Sequence, residues 1–564
     1  MAKRGREDDV DSRPGPSKRS RPANVDHLSR LSDELTLRVL SYLPVAQLVV
    51  CQRLSRKYHG LAGENQLWKR LYYERFVRPR ASRLPGIKDG GVSEKDGEFA
   101  SRTSRWLGDE QLLKRGGNMK WKRQYKLKHN WTKGSAVVSE IPVAKEATIP
   151  PVLVQMHQGV IYMADSTGLR AWSVQGEQRM VAQTQYQTAR TGSPPTALAI
   201  DPRSHSHTSR TTVGFESGAF SIYTLDQTGA RFQHIYSLEA ASNGVISAVA
   251  IAWPYVVTMT ATQILSLYRF DDLRRSSEGS DKLDPPRLLH SLRSSTIWPP
   301  LSTSLRTTEN GITISVAYAL PTYLSGWTVG LQEVRMAPDG DLIDSRLASA
   351  IGQHYRPLAF SSPPLIRHLP PPSTTTPATS NTQELRHIHA KPTSLSYTHP
   401  YLLASHPDNT LTLYLVTSTA ESLSISAGSR LWGHTSSVSG AHVGNRGKAV
   451  SVSTRGDELR LWELEGGFAS SAAKKRLAGT EMSVRIRPEP RTRARRASST
   501  GANLDVINQA LAARAAGACA TEQHLDDVSE LTLTRGWVGF DEENVVVLKE
   551  QSAGRQALVV YDFT

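Results

Sequence analysis

Residues 28–76 read LSRLSDELTLRVLSYLPVAQLVVCQRLSRKYHGLAGENQLWKRLYYERF. Leu31, Leu35, Val39 and Leu43 fall four apart, with Leu40 on the shoulder of the same face, which is the spacing of a helical stripe. Ser32 is placed to cap that helix and Leu43-Pro44 to end it, while Pro44 can open a second short helix that runs through Leu48. Leu54, Tyr58 and Leu61 mark a third helix, and Leu67, Trp68, Leu71 and Tyr72 a fourth that opens near Asn65. A helical core this small buries too little of its own surface to be stable alone. It predicts an apolar outer face that a partner or a neighbouring domain covers.

The order Leu31, Glu34-Leu35, Val39-Leu40, Tyr42-Leu43, Leu48, Cys51, Leu54-Ser55-Arg56, Tyr58, Leu61, Leu67-Trp68 resembles an F-box. That is the short helical module by which substrate receptors grip the Skp1 adaptor of SCF-type ubiquitin ligases. Ser32 stands where the family usually has proline, and a helix N-terminus accepts either residue. The resemblance implies that Leu31, Glu34, Leu35, Val39, Leu40, Leu43, Pro44 and Leu48 form the adaptor-facing surface. An ordinary helical domain, whose leucines only pack on one another, is the plainer alternative.

Outward from this stretch the sequence changes character twice. Residues 78–105 are polar and aperiodic, as expected of a surface insertion. A helix is expected over 106–114 and another over 119–128, the latter with Trp121 and Tyr125 four apart. Trp121 to Tyr125 followed by Asn130-Trp131-Thr132-Lys133-Gly134 resembles the link between helical part and propeller in F-box proteins of the WD-repeat class. In that reading the aromatic residues form a seam that fixes one domain against the other.

After Val137 the period becomes alternating, and short strands separated by Gly, Asp, Asn, Ser and Pro continue almost to the end. A strand, a turn and a second strand closing on an aromatic recur at Trp172, Tyr223, Tyr268, Tyr414 and Trp462, about 45 to 50 residues apart where consecutive, a blade's length. A less regular copy fits at 311–319 with 326–334, and the chain closes with 544–548 and 557–562. These units resemble degenerate WD-type blades. Seven are counted, with six or eight still open, and the strand at 136–141 is a candidate to close the ring beside the C-terminal strands. Asp408, six residues before Tyr414, matches the usual structural aspartate; Gly456 holds that position in the blade of His434 and Trp462, with Asp457 one place late. His434 and Asp408 therefore read as scaffold residues, and most blades are expected to rely on packing alone.

Composition sets bounds on what else the chain can be. Its 564 residues call for two or three domains, and its two cysteines, Cys51 and Cys519, support neither a disulfide framework nor a zinc cluster. The formal charge of +16 gathers in the N-terminal tail, in 70–128 and in 485–496. Lys3-Arg4 and Lys18-Arg19 with Arg21 fit either a two-part nuclear import signal or a solubilising tail. No phosphate-cradling loop, HExxH pair, nucleophile elbow or CxxC pair is present, and His205 and His207 lack ligand-spaced neighbours. Arg495-Arg496-Ala497-Ser498 has the pattern of a basic-directed phosphorylation site.

The fold expected is thus multidomain: a disordered basic tail (1–27), a small all-α F-box-like helical module (28–76), a helical linker (77–135), and an all-β WD40-like propeller (136–564) with loop insertions at 364–382 and 467–529. The function expected is substrate recognition in an SCF-type E3 ubiquitin ligase, with no catalytic residue, cofactor or metal of its own. Its partners would be a Skp1-type adaptor, a cullin through it, and an unidentified protein substrate for which phosphorylation is one candidate signal. A membrane or nucleic-acid partner is not expected, the chain would be a monomer or weak oligomer, and it would work in the nucleus or cytoplasm. The alternative is an interaction scaffold that uses the same helices for another partner.

Overall fold

The computed structural model describes residues 31–78, 120–350, 390–488 and 531–564, less loop residues 147, 175–178, 187–191, 204–207, 240–243, 271–284, 295–296, 309–310, 323–325, 338, 445–446, 457, 465–482 and 552–554. The expected tail, the insertion at 364–382, the helix at 106–114, Ser498 and most of 467–529 lie outside these residues, as do His205, His207 and Asp457. The chain divides into a helical unit that ends at Tyr125 and a second unit that contains Lys126–Thr564.

In the helical unit, α1 (Asp33–Leu40), α2 (Val45–Cys51), α3 (Arg56–Leu61) and α4 (Asn65–Tyr72) follow one another, and a π-helical turn, Tyr73–Val77, continues the last. Three of the four starts have a local cause. Ser32 Oγ accepts from Leu35 N at 3.4 Å, Ser55 Oγ accepts from Tyr58 N at 3.2 Å, and Pro44 stands in extended backbone as the cap of α2. Leu40, Leu48, Ala62 and Leu67 form the buried core, with Leu43, Cys51, Tyr58, Leu61 and Leu71 against it. A second cluster joins Trp68 and Phe76 to Trp121 and Tyr125, and Trp68 Nε1 donates to the Ala62 carbonyl at 2.8 Å.

Trp121–Lys133 is a single helix, α5, and runs five residues past the expected end at Lys128. Its polar stretch Lys126–Asn130 gives no apolar period, but its carbonyl-binding side chains have partners in the second unit. Asn130 Nδ2 donates to Phe563 O at 2.8 Å, Lys126 Nζ to Thr564 O at 3.0 Å, and Trp131 Nε1 to Glu542 O at 2.9 Å. Trp131 stacks on Phe563 with ring centroids 4.4 Å apart. Gly134 ends the helix at φ +69°, where a Cβ would lie 2.3 Å from the Arg485 carbonyl, so only glycine fits.

The second unit is a seven-bladed propeller, each blade an antiparallel sheet whose strands are lettered a to d from the axis outward. Blade 1 is built from Leu153–His157, Val160–Ala164, Leu169–Ser173 and Arg179–Thr184, and blades 2 and 3 repeat that order up to Arg293. Blade 4 comprises Trp298–Thr308, Gly311–Pro321, Trp327–Met336 and Leu342–Ser349; blade 5 comprises Ser394–Thr398, Tyr401–Ser405 and Leu411–Ser418 with Leu423–Ile425 and Ser429–Leu431 outside them; and blade 6 comprises Val438–Val443, Lys448–Ser453, Leu459–Glu463 and Ser483–Arg485. In blade 7 the last three strands, Leu531–Phe540, Asn544–Gln551 and Gln556–Asp562, are completed by Ser135–Ala144, which pairs antiparallel from Val137 with Asp562 to Ala144 with Gln556. The first strand therefore closes the ring against the last, as its alternation suggested. Part of the expected 467–529 insertion is sheet: Ser483–Arg485 is strand d of blade 6, and Arg487-Pro488 pairs with Ser135-Ala136. Cores lie between blades, where alternate residues of facing sheets meet, as Ile314, Val316 and Val334 of blade 4 meet Val257 and Leu267 of blade 3.

Candidate functional site

Helix α1 and the turn after it present two faces: Thr36, Leu40 and Leu43 turn inward, whereas Leu35, Val39 and Tyr42, also spaced by four and three, stand 55 %, 48 % and 71 % exposed. Val49 and Val50 of α2 and Leu54 beyond it are exposed as well. Large aliphatic and aromatic groups are thus left in water on a unit whose own core is already closed. Their surroundings are charged at the edge, where Lys57 pairs with Asp33 at 3.1 Å and also donates to the Leu31 carbonyl at 3.3 Å. An apolar centre with a charged margin is the composition of a protein-binding surface.

Of the residues expected there, Glu34, Leu35, Val39 and Pro44 are exposed, and Leu31 and Leu43 are half-buried. Leu40 and Leu48 correct the expectation: at 2 % and 0 % exposure they are the centre of the helical core and support the surface from beneath. Tyr42, Val49, Val50 and Leu54 belong to the exposed set and were not among the expected residues. The signal for Tyr42 was its place seven residues after Leu35.

In the propeller, several carboxylates sit in the turns between strands b and c, where hydrogen bonds engage them. His434 Nε2 lies 2.5 Å from Ser451 Oγ, which also accepts from Trp462 Nε1 at 2.7 Å. The carboxylate of this network is Glu458, whose Oε2 accepts from Thr435 N at 2.8 Å and lies 3.5 Å from His434 Nδ1, and whose Oε1 accepts from Arg460 Nε at 2.7 Å. Burial pushes the Glu458 carboxyl up, but the hydrogen bonds from Thr435 and Arg460 outweigh it and hold the pKa below the usual value. In blade 5, Asp408 Oδ1 accepts from Thr410 N and Oγ1 at 2.8 and 2.5 Å, and Oδ2 from Arg430 at 2.8 Å. Blade 1 repeats the device with Asp165, Thr167, Gly168 and Arg170. Carboxylate turns thus brace the sheet in these three of the seven blades, among them the blades of His434 and Asp408. His434 and Asp408 lie within the scaffold, as their pattern suggested.

All b-to-c turns share one end of the ring with the d-to-a connections, because every blade has the same strand order. The opposite end carries the a-to-b turns, including Glu542 and the seat of Trp131. The b-to-c end presents aromatic residues: Trp298 and Trp432 are 45 % and 44 % exposed, Arg430 lies over the Trp432 ring at 5.2 Å, and Lys391 lies over Trp327 at 5.2 Å. Among the described residues, no group of three His, Cys, Asp or Glu side chains is placed to hold a metal ion.

The family model of the F-box protein pof12 beta-propeller matches residues 136–564, and an F-box-like model matches residues 28–74. The chain belongs to the F-box protein pof12 propeller family. This F-box propeller protein is 22% identical over 463 residues to F-box protein pof12 of Schizosaccharomyces pombe (strain 972 / ATCC 24843), a match that covers 79% of the chain and 86% of the relative. Its helical region is 38% identical over 47 residues to F-box protein dre-1 of Caenorhabditis elegans, covering 8% of the chain and 5% of that protein. The WD40 propeller domain of Doa1 is similar at 11% identity, with 76% of the chain and 96% of that domain covered and a TM-score of 0.35. Neither matching family is a family of enzymes.

Proposed function

We infer that this F-box propeller protein is the substrate-recognition subunit of an SCF-type E3 ubiquitin ligase. It would bind a Skp1-type adaptor, and a cullin through it, with the helical unit, and a target protein with the propeller. The observation that carries the reading is the exposed row Leu35, Val39 and Tyr42 with Val49, Val50 and Leu54, which lie outside the buried core that the described residues of the module form. The target is received at the b-to-c end, where Trp298 and Trp432 offer large rigid contact areas and Lys391 and Arg430 add positive charge. Ubiquitin transfer itself belongs to other subunits, and this chain raises the local concentration of a bound target. The protein would work in the nucleus or cytoplasm.

The test is affinity purification of the tagged full chain from cells with the proteasome blocked. The reading expects a small Skp1-type adaptor and a cullin with the wild type. Leu35→Asp with Val39→Asp should lose both and retain bound targets. Trp298→Ala with Trp432→Ala should retain the adaptor and lose targets. If adaptor and cullin are absent from the wild-type preparation, the helices serve another partner and the ligase reading falls.

A further inference from the structure

Strand d of blade 4, Leu342–Ser349, pairs on one side with Trp327–Met336, and no strand among the described residues pairs with its other side. A free edge is usually blunted by shortness, by proline or by outward charge. Outer strands elsewhere show these devices. Arg287–Arg293 has arginine at both ends, Arg179–Thr184 and the eight-residue Arg231–Leu238 each begin on an exposed arginine, and Ser429–Leu431 and Ser483–Arg485 have three residues each. Ser135–Ala144 is partly covered by Arg487-Pro488.

Leu342–Ser349 has eight residues, and its exposed large side chains are Leu342, Ile343 and Leu347, at 43 %, 56 % and 58 %. The charge that could have protected it is engaged inward. Arg346 donates to Glu333 at 2.8 Å and to the Thr419 carbonyl at 2.8 Å, and Glu333, 0 % exposed, also holds Arg306 at 2.8 Å. Asp344 is gripped by Arg335 through two hydrogen bonds of 2.7 and 2.8 Å. With those two side chains fixed on one face of the strand, alternation puts Ser345 and Leu347 on the other, and Ile343 is the extra residue where the register slips between Asp344, opposite Arg335, and Leu342, opposite Met336.

We propose that this edge pairs antiparallel with the same edge of a second copy of the chain, about a two-fold axis at Ser345. The sequence LIDSRLAS is complementary to itself in that register. Ile343 comes opposite Leu347 of the second copy, Asp344 opposite Arg346, Ser345 opposite Ser345, and Leu342 opposite Ala348. Apolar meets apolar, and no like charges meet. The same operation on Arg287–Arg293 about His290 sets Arg287 against Arg293, a repulsive pair, so the complementarity is not general to the outer strands. Two sheets become one continuous sheet, with main-chain hydrogen bonds along the edge and the four aliphatic side chains in its middle. This is independent of the adaptor reading.

The register sets a specific test, because directly opposed residues in an antiparallel pair lie within disulfide reach. Ser345→Cys is introduced into the full chain with Cys51→Ala and Cys519→Ala, and Ser291→Cys on the edge of blade 3 serves as the control. Mild oxidation is expected to convert most of the Ser345→Cys protein to a species of twice the 62.0 kDa chain mass, while the control stays single. Sedimentation of the wild type should show a concentration-dependent dimer, and Ile343→Lys with Leu347→Lys should raise its dissociation constant at least tenfold with unchanged circular dichroism. Equal cross-linking of both cysteines, or a wild type that sediments as a monomer up to its solubility limit, overturns the proposal. So does a Ser345→Cys adduct in cells with a polypeptide of another mass, which would assign the edge to a different occupant.

Discussion

Ser451 Oγ receives a hydrogen bond from Trp462 Nε1 and contacts His434 Nε2, and all three side chains are buried. Ser451→Ala removes the acceptor of Trp462 Nε1 and the contact at His434 Nε2, which should cost about 1–3 kcal/mol, measured as a drop in the urea midpoint at unchanged m-value. Glu458 escaped the sequence because the rule for the structural aspartate looks at one offset from the closing aromatic, and that offset holds Gly456. A glutamate two residues later reaches the same donors with its longer side chain. Which carboxylate meets Thr435 depends on the fold of the turn, and no spacing rule carries that. The histidines give this scale a pH dependence. Burial lowers the His442 pKa to about 4, and it lowers those of His157 and His406 in the same direction. Between about pH 6.5, the unfolded value, and pH 4 the unfolded chain binds more protons than the folded one, so stability present above that window is lost as pH falls through it. The thermal midpoint should decline across this range, and His442→Gln should flatten part of the decline. An equal slope in both proteins would remove His442 as a cause.

For elements, period was a good guide to existence and a poor one to orientation. Leu35, Val39 and Leu40, Leu43 read as one broad stripe, yet α1 divides them between water and the core. Both stripes are apolar, so nothing in the residues themselves says which one a partner takes; the packing of α2 to α4 decides it. The consequence is a separation of effects. Leu48→Ala should destabilise the helical unit by about 2–5 kcal/mol, seen as lost helical circular dichroism and rapid proteolysis between 31 and 78. Leu35→Asp with Val39→Asp should leave both unchanged, because neither side chain is in the core. Helix α5 was cut short for the opposite reason: Lys126–Asn130 has no apolar pattern, and its contacts are hydrogen bonds to Phe563 and Thr564, distant in sequence. Gly134→Ala at the end of that helix should cost more than about 1 kcal/mol, since a Cβ meets the Arg485 carbonyl and the positive φ disfavours alanine. A thermal midpoint equal to wild type would show that the backbone there can relax.

At the scale of the molecule, two units of different period were legible because local patterning carries them: four helical runs, then alternating strands closing on aromatics. Closure was legible too, since Ser135–Ala144 alternates with no neighbour in sequence and the C-terminal blade lacks a fourth strand. Less legible was the outer strand of blade 6 at Ser483–Arg485, which is three residues long and set in an arginine-rich stretch where composition speaks for a loop. The central claim, that the exposed face of the first two helices is held by a Skp1-type adaptor, has a direct measurement: titration of purified adaptor onto the full chain and onto Leu35→Asp with Val39→Asp. The account predicts saturable one-to-one binding to the wild type and at least about a thirtyfold weaker dissociation constant for the variant, the loss of about 2 kcal/mol or more expected at the centre of an interface, with helical circular dichroism retained. Equal affinity for both proteins, or no binding to the wild type, would contradict it.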